Sequence, residues 1–160
     1  MLILGIDPGT TAVGYALLEN TAGRPKVILA NLIDIRKKDD EGRLVEIHRG
    51  IQNLIKKWQP EVLAVERLFF AKNQRTALAV AQARGVILLT AALAGLKVYE
   101  YTPLEIKKIV SGDGRADKSQ IKKILGLTLP ELKTLKARDD VFDAIAVALA
   151  CYYKERLLLI

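Results

Sequence analysis

The amino-acid sequence predicts an α/β fold in which a mixed β-sheet is flanked by helices. Three strand-like stretches occupy the first 35 residues, and a turn signal between the second and third indicates an antiparallel meander. From about Glu41 onward, helical patterns alternate with short apolar strands, an order typical of a sheet covered by helices. With 160 residues, of which 51% are hydrophobic and 27% charged, the chain is long enough to bury one core, and we expect residues 1–160 to form a single domain.

The predicted strands are short apolar runs. Leu2–Asp7 is apolar up to its final carboxylate, as expected of a strand that is buried on both faces. The next two are Val13–Leu18 and Val27–Ile35, separated by the turn signal of residues 20–25. Further strands are predicted at Val62–Glu66, which again ends in a carboxylate, and at Lys97–Tyr101.

The remaining elements are predicted to be helices. Residues 44, 47, 48, 51, 54 and 55 recur at helical spacing, which predicts a helix from about Glu41 to the stop at Gln59-Pro60. Gly85 lies inside the next predicted helix, and since glycine weakens a helix, it suggests close helix packing at that point. The other predicted helices are at about Gln74–Leu93, from near Pro103, at about Ser119–Leu125 after a bend at 112–114, and at about Asp139–Leu157.

The composition favours a polyanionic partner. The chain has 25 Lys and Arg against 18 Asp and Glu, a net charge of +7, and nucleic acid is the commonest partner of such a chain, although ordinary solubility also explains an excess of this size. Cys151 is the sole cysteine, so neither a disulfide framework nor a thiolate metal site is expected. The N-terminus lacks the pattern of a secretion signal, and the most apolar helical stretch, Val86–Leu96, is too short to span a bilayer. We therefore expect a soluble, cytoplasmic protein with no membrane partner.

Two carboxylates end predicted strands. Asp7 follows the apolar run of the first strand, and Glu66 follows that of the fourth. If these strands are neighbours, the two side chains meet at the edge of the sheet where the sites of α/β proteins gather. Taken singly, Asp7 fits a phosphate-binding turn, a metal site or a plain turn, and Glu66 fits a surface ion pair with Arg67.

The last predicted helix supplies further acids. Asp140 and Asp143 are three residues apart and share a face, and Asp139, four residues before Asp143, is a competing candidate. Asp139 and Asp140 also suit the preference for negative charge at a helix N-terminus, whereas Asp143 lies a turn inside a helix that is apolar all round. Carboxylates in apolar surroundings are costly unless they are neutralised. Two Mg²⁺ ions about 3.5–4 Å apart would neutralise them and support phosphodiester hydrolysis, so the combined pattern favours a metal site.

Three segments together resemble one protein family. GIDPGTTAVGYA, AVERLFFAKNQRTALAVAQARG and DDVFDAIAVALA occur in the order and spacing of the RuvC family of Holliday junction resolvases, and the resemblance covers nearly the whole chain. It implies a ribonuclease H-like fold with a five-stranded mixed sheet, three antiparallel strands followed by two parallel ones. It also implies two Mg²⁺ ions per active site, for which Mn²⁺ can substitute. By motif the metal-binding and catalytic residues are Asp7, Glu66, Asp140 and Asp143, because the family's Asp-x-x-Asp spacing selects Asp140 over Asp139.

The resemblance also assigns residues to DNA. In that family an aromatic side chain shortly after the glutamate stacks at the opened centre of the junction, and Phe69 matches it, with Phe70 beside it as the alternative. Basic residues near the site are a further family feature, and a polar basic segment follows the two aromatics. The expected DNA-binding residues are Phe69, Phe70, Lys72, Arg75, Lys107 and Lys118.

The implied activity is a structure-specific endonuclease that resolves four-way DNA junctions by paired, symmetric nicks during homologous recombination and DNA repair. The implied partners are four-way junction DNA, a second copy of the chain in a homodimer, and the RuvA–RuvB branch-migration complex. The implied location is the bacterial cytoplasm.

Three other functions explain part of the pattern. Residues 7–11 also resemble the first phosphate motif of the actin and sugar-kinase ATPases, but those proteins need a second nucleotide-binding half, for which we expect this chain to be too short. A ribonuclease H-like nuclease acting on RNA, such as the pre-ribosomal RNA processing family, would keep the acids without needing Phe69. A basic architectural module that binds branched DNA would need no acids facing phosphates. Because bare carboxylates repel DNA, the acids argue against such a module.

Overall fold

Three N-terminal strands are followed by helices that alternate with strands. The computed structural model describes residues 1–21, 23–67 and 74–157, with side chains for all of these except residues 74–76 and 156–157. The strands are β1 (Leu2–Asp7), β2 (Ala12–Thr21), β3 (Arg24–Asp34), β4 (Val62–Glu66) and β5 (Lys97–Tyr101). The helices are α1 (Asp40–Trp58), α2 (Gln74–Leu93), α3 (Pro103–Ser111), α4 (Lys118–Thr128) and α5 (Asp139–Leu157).

The strands form one mixed sheet in the order β3-β2-β1-β4-β5. β1 pairs antiparallel with β2, and β2 pairs antiparallel with β3. β4 is parallel to both β1 and β5. The five-stranded mixed sheet predicted from the sequence is therefore confirmed. Its topology brings the carboxyl ends of β1, β4 and β5 to one edge.

The two faces of the sheet carry separate cores. Ile3 and Ala64 pack with α3, α4 and α5 on one face, whereas Leu4 and Val65 pack with α1 and α2 on the other. This division follows the alternation of side chains along each strand. α5 runs across the first core and is buried over most of its length, which explains why its sequence is apolar all round.

Cys151 is one of the buried residues of α5. Its side chain has no exposed surface, and burial raises the pKa of the thiol to about 11. Cys151 is therefore a buried packing residue, because a reactive thiol has a lowered pKa.

Capping fixes the start of the two short helices before α5. Thr102 and Glu105 form a capping box at α3, and Asp117 and Gln120 form another at α4. The α4 cap defines the position of the first helical residue, Lys118. The basic helix is therefore longer than the predicted Ser119–Leu125 segment.

The connection between β2 and β3 is shorter than predicted. β2 continues to Thr21 and β3 starts at Arg24, so most of the predicted turn at residues 20–25 is strand. Gly23 adopts φ 78°, a left-handed conformation that glycine permits at little cost. Pro25 fits within β3 because β3 is an edge strand.

Two further expectations concern helices. Gly85 is exposed on α2, and a Cβ placed there would meet nothing within 4 Å, so the prediction of close helix packing at Gly85 is wrong within this protomer. Across residues 1–21, 23–67 and 74–157, no helix combines the length and the apolar composition needed to cross a membrane.

Candidate active site

Asp7 and Glu66 lie at the same edge of the sheet. Asp7 is the last residue of β1 and Glu66 the last of β4. These strands are parallel neighbours, and the preceding residues, Ile6 and Val65, are partners in the register. Both acids are partly buried. The expectation that the two strands are neighbours is therefore met. Each carboxylate is the last residue of its strand, and the two strand ends are adjacent.

Glycines allow α5 to approach the sheet at this edge. A Cβ on Gly14 would lie 2.0 Å from the carbonyl oxygen of Asp140, and one on Gly5 would lie 2.5 Å from that of Ala144. Real Cβ atoms do not occupy such positions, so any larger residue would push the helix away from the strands. The first two turns of α5 therefore pass directly over β1 and β2, which brings Asp140 and Asp143 to Asp7.

The charges of these carboxylates act on one another. Burial raises the pKa of Asp7 to about 7, and the negative charges of Asp143, Glu66 and Asp140 add to that effect, while Lys118 opposes it. Burial and the charge of Asp143 also raise the pKa of Glu66. The structure thus gathers four acids into one electrostatic cluster in which a proton or a cation is needed to relieve repulsion.

Neighbouring cations partly compensate this negative charge. The Nζ atom of Lys118 lies 3.0 Å from Oδ2 of Asp143, and this hydrogen bond raises the pKa of the lysine. The Nη2 atom of Arg138 lies 2.9 Å from Oδ2 of Asp140. Asp143 and Asp140 therefore each contact one basic side chain.

Two alternative pairings are settled by the contacts. Arg67 approaches Glu100, with 4.0 Å between Nε and Oε2, rather than forming a surface pair with Glu66. Asp139 is exposed and binds Lys122 at 2.7 Å and Lys118 at 3.7 Å. Asp139 thus lies beside the acidic cluster and forms ion pairs with these two lysines.

A cleft of about 250 Å³ opens beside Glu66 and Asp143. Lys107 from α3 and Lys118 and Lys122 from α4 line it together with these two acids. The positive charges of Lys118 and Lys107 both lower the pKa of Glu66, against the larger effect of burial. Acids and lysines therefore lie side by side in this cleft.

Comparison with known proteins gives the family. A family model described as "Crossover junction endodeoxyribonuclease RuvC" matches residues 3–151. The chain belongs to the RuvC family. A protein of Moorella thermoacetica with the same description is 53% identical over 149 residues, which cover 92% of this chain and 89% of that protein.

Solved structures of the RuvC family show the same fold. RuvC from Thermus thermophilus is 28% identical to this chain and superposes with a TM-score of 0.87, covering 98% of this chain and 96% of that one. The structure of T. thermophilus RuvC in complex with Holliday junction substrate has a TM-score of 0.89 at the same identity and coverage. The predicted ribonuclease H-like fold is confirmed.

Some predicted DNA-binding residues are described and others are not. Lys107 and Lys118 line the cleft beside the acids. Phe69, Phe70 and Lys72 lie outside the described residues. Arg75 lies in the first turn of α2, and its side chain is outside the description.

Three residues at the site were not among the sequence candidates. Lys122 lines the cleft, and its Nζ atom lies 4.8 Å from the centre of the Phe142 ring, which lines the cleft as well. Arg138 contacts Asp140. A sequence signal existed for Lys122, since it is four residues after Lys118 and shares its helix face. No comparable signal existed for the other two.

The fit of the site to metal ions rests on its donor chemistry. Within the described ranges, no group of three or more His, Cys, Asp or Glu side chains is spaced to hold a metal ion as it stands. However, carboxylate oxygens are the donors that Mg²⁺ prefers, and burial together with neighbouring negative charge raises the pKa of Asp7, a cost that a bound cation would relieve. The chemistry of the four acids therefore fits hard divalent cations.

Proposed function

We propose that this protein is a Mg²⁺-dependent endodeoxyribonuclease that resolves four-way DNA junctions by paired, symmetric nicks in homologous recombination and DNA repair. The observation that carries the proposal is the cluster of four acids at the carboxyl end of β1 and β4, faced by lysines across a cleft. Membership of the RuvC family supports it, as does the T. thermophilus relative whose structure contains a Holliday junction.

In this proposal Asp7, Glu66, Asp140 and Asp143 hold two Mg²⁺ ions, with Mn²⁺ as a substitute. The bound ions would supply an activated water and stabilisation of the leaving 3′ oxygen. Asp7 is the central acid, because the three other carboxylates all act on its pKa. Asp7 ends a central β-strand, and Asp140 and Asp143 approach it from α5, which packs directly over β1 and β2.

The lysines bind and orient the DNA backbone. Lys118 already reaches Asp143, so a phosphate oxygen close to that acid lies within range of the ammonium group. Lys107 lines the same cleft from α3. Together they hold the scissile phosphate against the carboxylates, which repel DNA when they are unneutralised. We further propose that Phe69 or Phe70 stacks on bases at the junction centre, with Lys72 and Arg75 contacting nearby phosphates.

A homodimer explains an exposed apolar face of α2. Leu78, Leu89 and Leu93 are 66%, 59% and 75% exposed, and Gly85 lies on the same face with open space above it. Exposed leucines in one stripe mark an interaction surface, and glycine permits close approach of a second helix. We propose that two copies pack through this stripe, which consists of Leu78, Gly85, Leu89 and Leu93. Two active sites in one dimer account for paired nicks.

The proposal also includes two features of the whole protein. Residues 1–160 form one nuclease domain, since a single sheet organises every described element. Cooperation with the RuvA–RuvB branch-migration complex is supported by the family resemblance.

The experiment that tests this function is a nicking assay with Mg²⁺ on three substrates: a four-way junction, a linear duplex of the same sequence and an RNA–DNA hybrid. We expect paired nicks in the junction and little cutting of the other two. Equal cutting of hybrid and junction would contradict resolvase function and favour an RNA-directed nuclease.

Matched variants test the acids in the same assay. Asp7→Asn should abolish cleavage while junction binding is retained or strengthened, because one negative charge facing the phosphates is removed. Asp34→Asn is the control, since Asp34 is an exposed acid at the end of β3, two strands away from β1. Normal cleavage by Asp7→Asn would show that the metal assignment is wrong.

A further inference from the structure

Three charged residues form a second cluster at the catalytic edge, on the opposite face of the sheet from the acids. Glu100 of β5 binds Nη2 of Arg84 from α2 through its Oε2 atom. The Nε atom of Arg67 lies 4.0 Å from the same oxygen. Val98, two residues before Glu100, packs against the core of α1 and α2, which places Glu100 on that face.

The backbone extends the sheet to Arg67. The Arg67 amide donates to the carbonyl oxygen of Tyr101 at 2.7 Å, so the pairing of β4 with β5 continues one residue past Glu66. Since successive side chains of an extended strand point to opposite faces, Arg67 and Glu66 diverge at the end of β4. Glu66 therefore faces the catalytic cleft, and Arg67 lies immediately behind it.

Arg84 already compensates the carboxylate of Glu100. The Arg84 side chain is 18% exposed and contacts Glu100 directly, whereas that of Arg67 is 56% exposed and approaches Glu100 at a distance beyond hydrogen bonding. Burial, and secondarily the positive charge of Arg67, lower the pKa of the Arg84 guanidinium. Two guanidinium groups share one carboxylate, so the cluster carries a net positive charge, and Arg67 is its exposed member.

The charge of Arg67 is not among those that act on the pKa of Glu66. Among the described residues, the charges that act on Glu66 come from Asp143, Lys118 and Lys107. Arg84 makes the closer contact with Glu100, and the more exposed Arg67 guanidinium has surface left to contact an anion. Arg67 directly follows Glu66, so a DNA strand that has one phosphate at the acids and runs past the end of β4 would bring a neighbouring phosphate to Arg67.

We propose that Arg67 binds a DNA backbone phosphate next to the scissile one, and that Glu100 is a positioning residue which, held by Arg84, orients the Arg67 side chain. This proposal rests on the proposed function, because it takes junction DNA as the ligand. It adds a third point of attachment behind the catalytic cleft, opposite Lys107 and Lys118. The planar guanidinium suits bidentate contact with phosphate.

The test is the salt dependence of junction binding, measured in the Asp7→Asn background so that cleavage does not interfere. Each phosphate contact contributes about 0.9 to the slope of log binding constant against log salt concentration. We expect Arg67→Ala to lower that slope by about 1, and Arg67→Lys to restore most of it. Arg24→Ala is the matched control, because Arg24 is an exposed arginine at the start of β3, at the other end of the sheet. An unchanged slope in Arg67→Ala would overturn the phosphate contact.

Glu100→Gln tests the positioning role separately. In the cleavage-competent protein it should raise the KM for junction and lower the salt slope of binding by less than Arg67→Ala does, because Arg67 keeps its charge and loses its orientation. All assays are run below the unfolding temperature of each variant, so a merely structural loss shows only as a lower Tm. An unchanged KM in Glu100→Gln would overturn the positioning role. If the parent protein neither binds nor cuts junctions, the proposed function fails. If the parent cuts junctions and Arg67→Ala binds them with the parent's salt slope, only the Arg67 contact is refuted.

Discussion

The carboxyl group of Asp7 titrates near neutral pH because it is buried among three other acids. Its pKa rises from 3.8 to about 7 on folding. Between these values the folded protein binds a proton that the unfolded chain has lost. The free energy of unfolding therefore falls as pH rises from about 4 to about 7, and above that range the ionised, buried carboxylate destabilises the metal-free fold.

Asp7→Asn should therefore stabilise the metal-free protein at pH 8. The gain is expected to be a few kcal/mol at most, at about 1.4 kcal/mol for each unit of pKa shift, and it should disappear towards pH 4. Thermal unfolding in the presence of a chelator, measured from pH 4 to pH 8, checks this. Asp34→Asn should show no such pH-dependent gain, and an Asp7→Asn variant less stable than the parent at pH 8 would contradict the assignment.

Excess Mg²⁺ should reverse the instability of the parent protein. Cation binding requires ionised carboxylates, so Mg²⁺ should raise the Tm more at pH 8 than at pH 6. Asp7→Asn should lose most of this shift, since its central oxygen ligand carries no charge. A Tm unaffected by Mg²⁺ at pH 8 in the absence of DNA would show that the four acids do not bind the ion before the substrate arrives.

Lys118 lies close enough to Asp143 to contact a phosphate held there. Lys118→Ala should weaken junction binding and lower the salt slope by about 1, as expected from the loss of one phosphate contact. Lys123→Ala is the control, because Lys123 is on the same helix but lines a separate cavity with Ser111 and Asp113. Equal slopes for Lys118→Ala and the parent would argue against direct phosphate contact.

At the scale of the elements, the site depends on how closely α5 lies against β1 and β2. Gly14 allows this approach, because a Cβ there would overlap the backbone of Asp140. The positions of Asp140 and Asp143 on α5 thus depend on Gly14, a glycine on β2.

Gly14→Ala should displace the start of α5 and separate Asp140 and Asp143 from Asp7. Overpacking of this kind costs about 1–3 kcal/mol, so the variant should remain folded at low temperature yet lose most Mg²⁺-dependent cleavage. Gly126→Ala is the contrasting substitution, since nothing lies within 4 Å of its Cβ position on α4 and alanine favours a helix. Full cleavage by Gly14→Ala would show that the site does not require this contact.

At the scale of the whole molecule, the two faces of the sheet carry different functional features. One face carries the acids and the lysines of the cleft, and the other carries α2 with its exposed apolar stripe. A dimer built through that stripe would place two catalytic clefts in one particle, and Arg67 would lie on the α2 side of each cleft.

Leu89→Glu should convert the dimer into a monomer, because a charge replaces an apolar side chain at the centre of the stripe. Analytical ultracentrifugation should show the change in mass, and circular dichroism should show an unchanged fold. Leu127→Glu is the control, since Leu127 is 73% exposed on α4, away from α2. We expect nicking of the two strands to become uncoupled in the Leu89→Glu variant, and a parent protein that is monomeric at micromolar concentration would refute the proposed interface.

Much of the fold was predictable because its signals are local. The bounds of β1, β4, α2 and β5 follow from apolar runs, helical spacing and flanking turn residues, and they agree with the structure. The β2–β3 hairpin was predicted too short, because polar residues at its tip continue the strands by pairing with one another. Strand ends and helix spacing pointed to Asp7, Glu66 and Asp143 without knowledge of distant contacts, whereas the choice of Asp140 over Asp139 came from the family resemblance.

The sequence by itself determined the element order, the acids at the ends of β1 and β4, the shared helix face of Asp140 and Asp143, and the resemblance to the RuvC family. The tertiary structure alone decided which groups meet across long separations in the chain: Gly14 with Asp140, Lys118 with Asp143, and Glu100 with Arg84 and Arg67. The physical reason is that periodicity and capping act within a few residues, whereas charge coupling and close packing depend on distances that arise only when the sheet and its helices assemble.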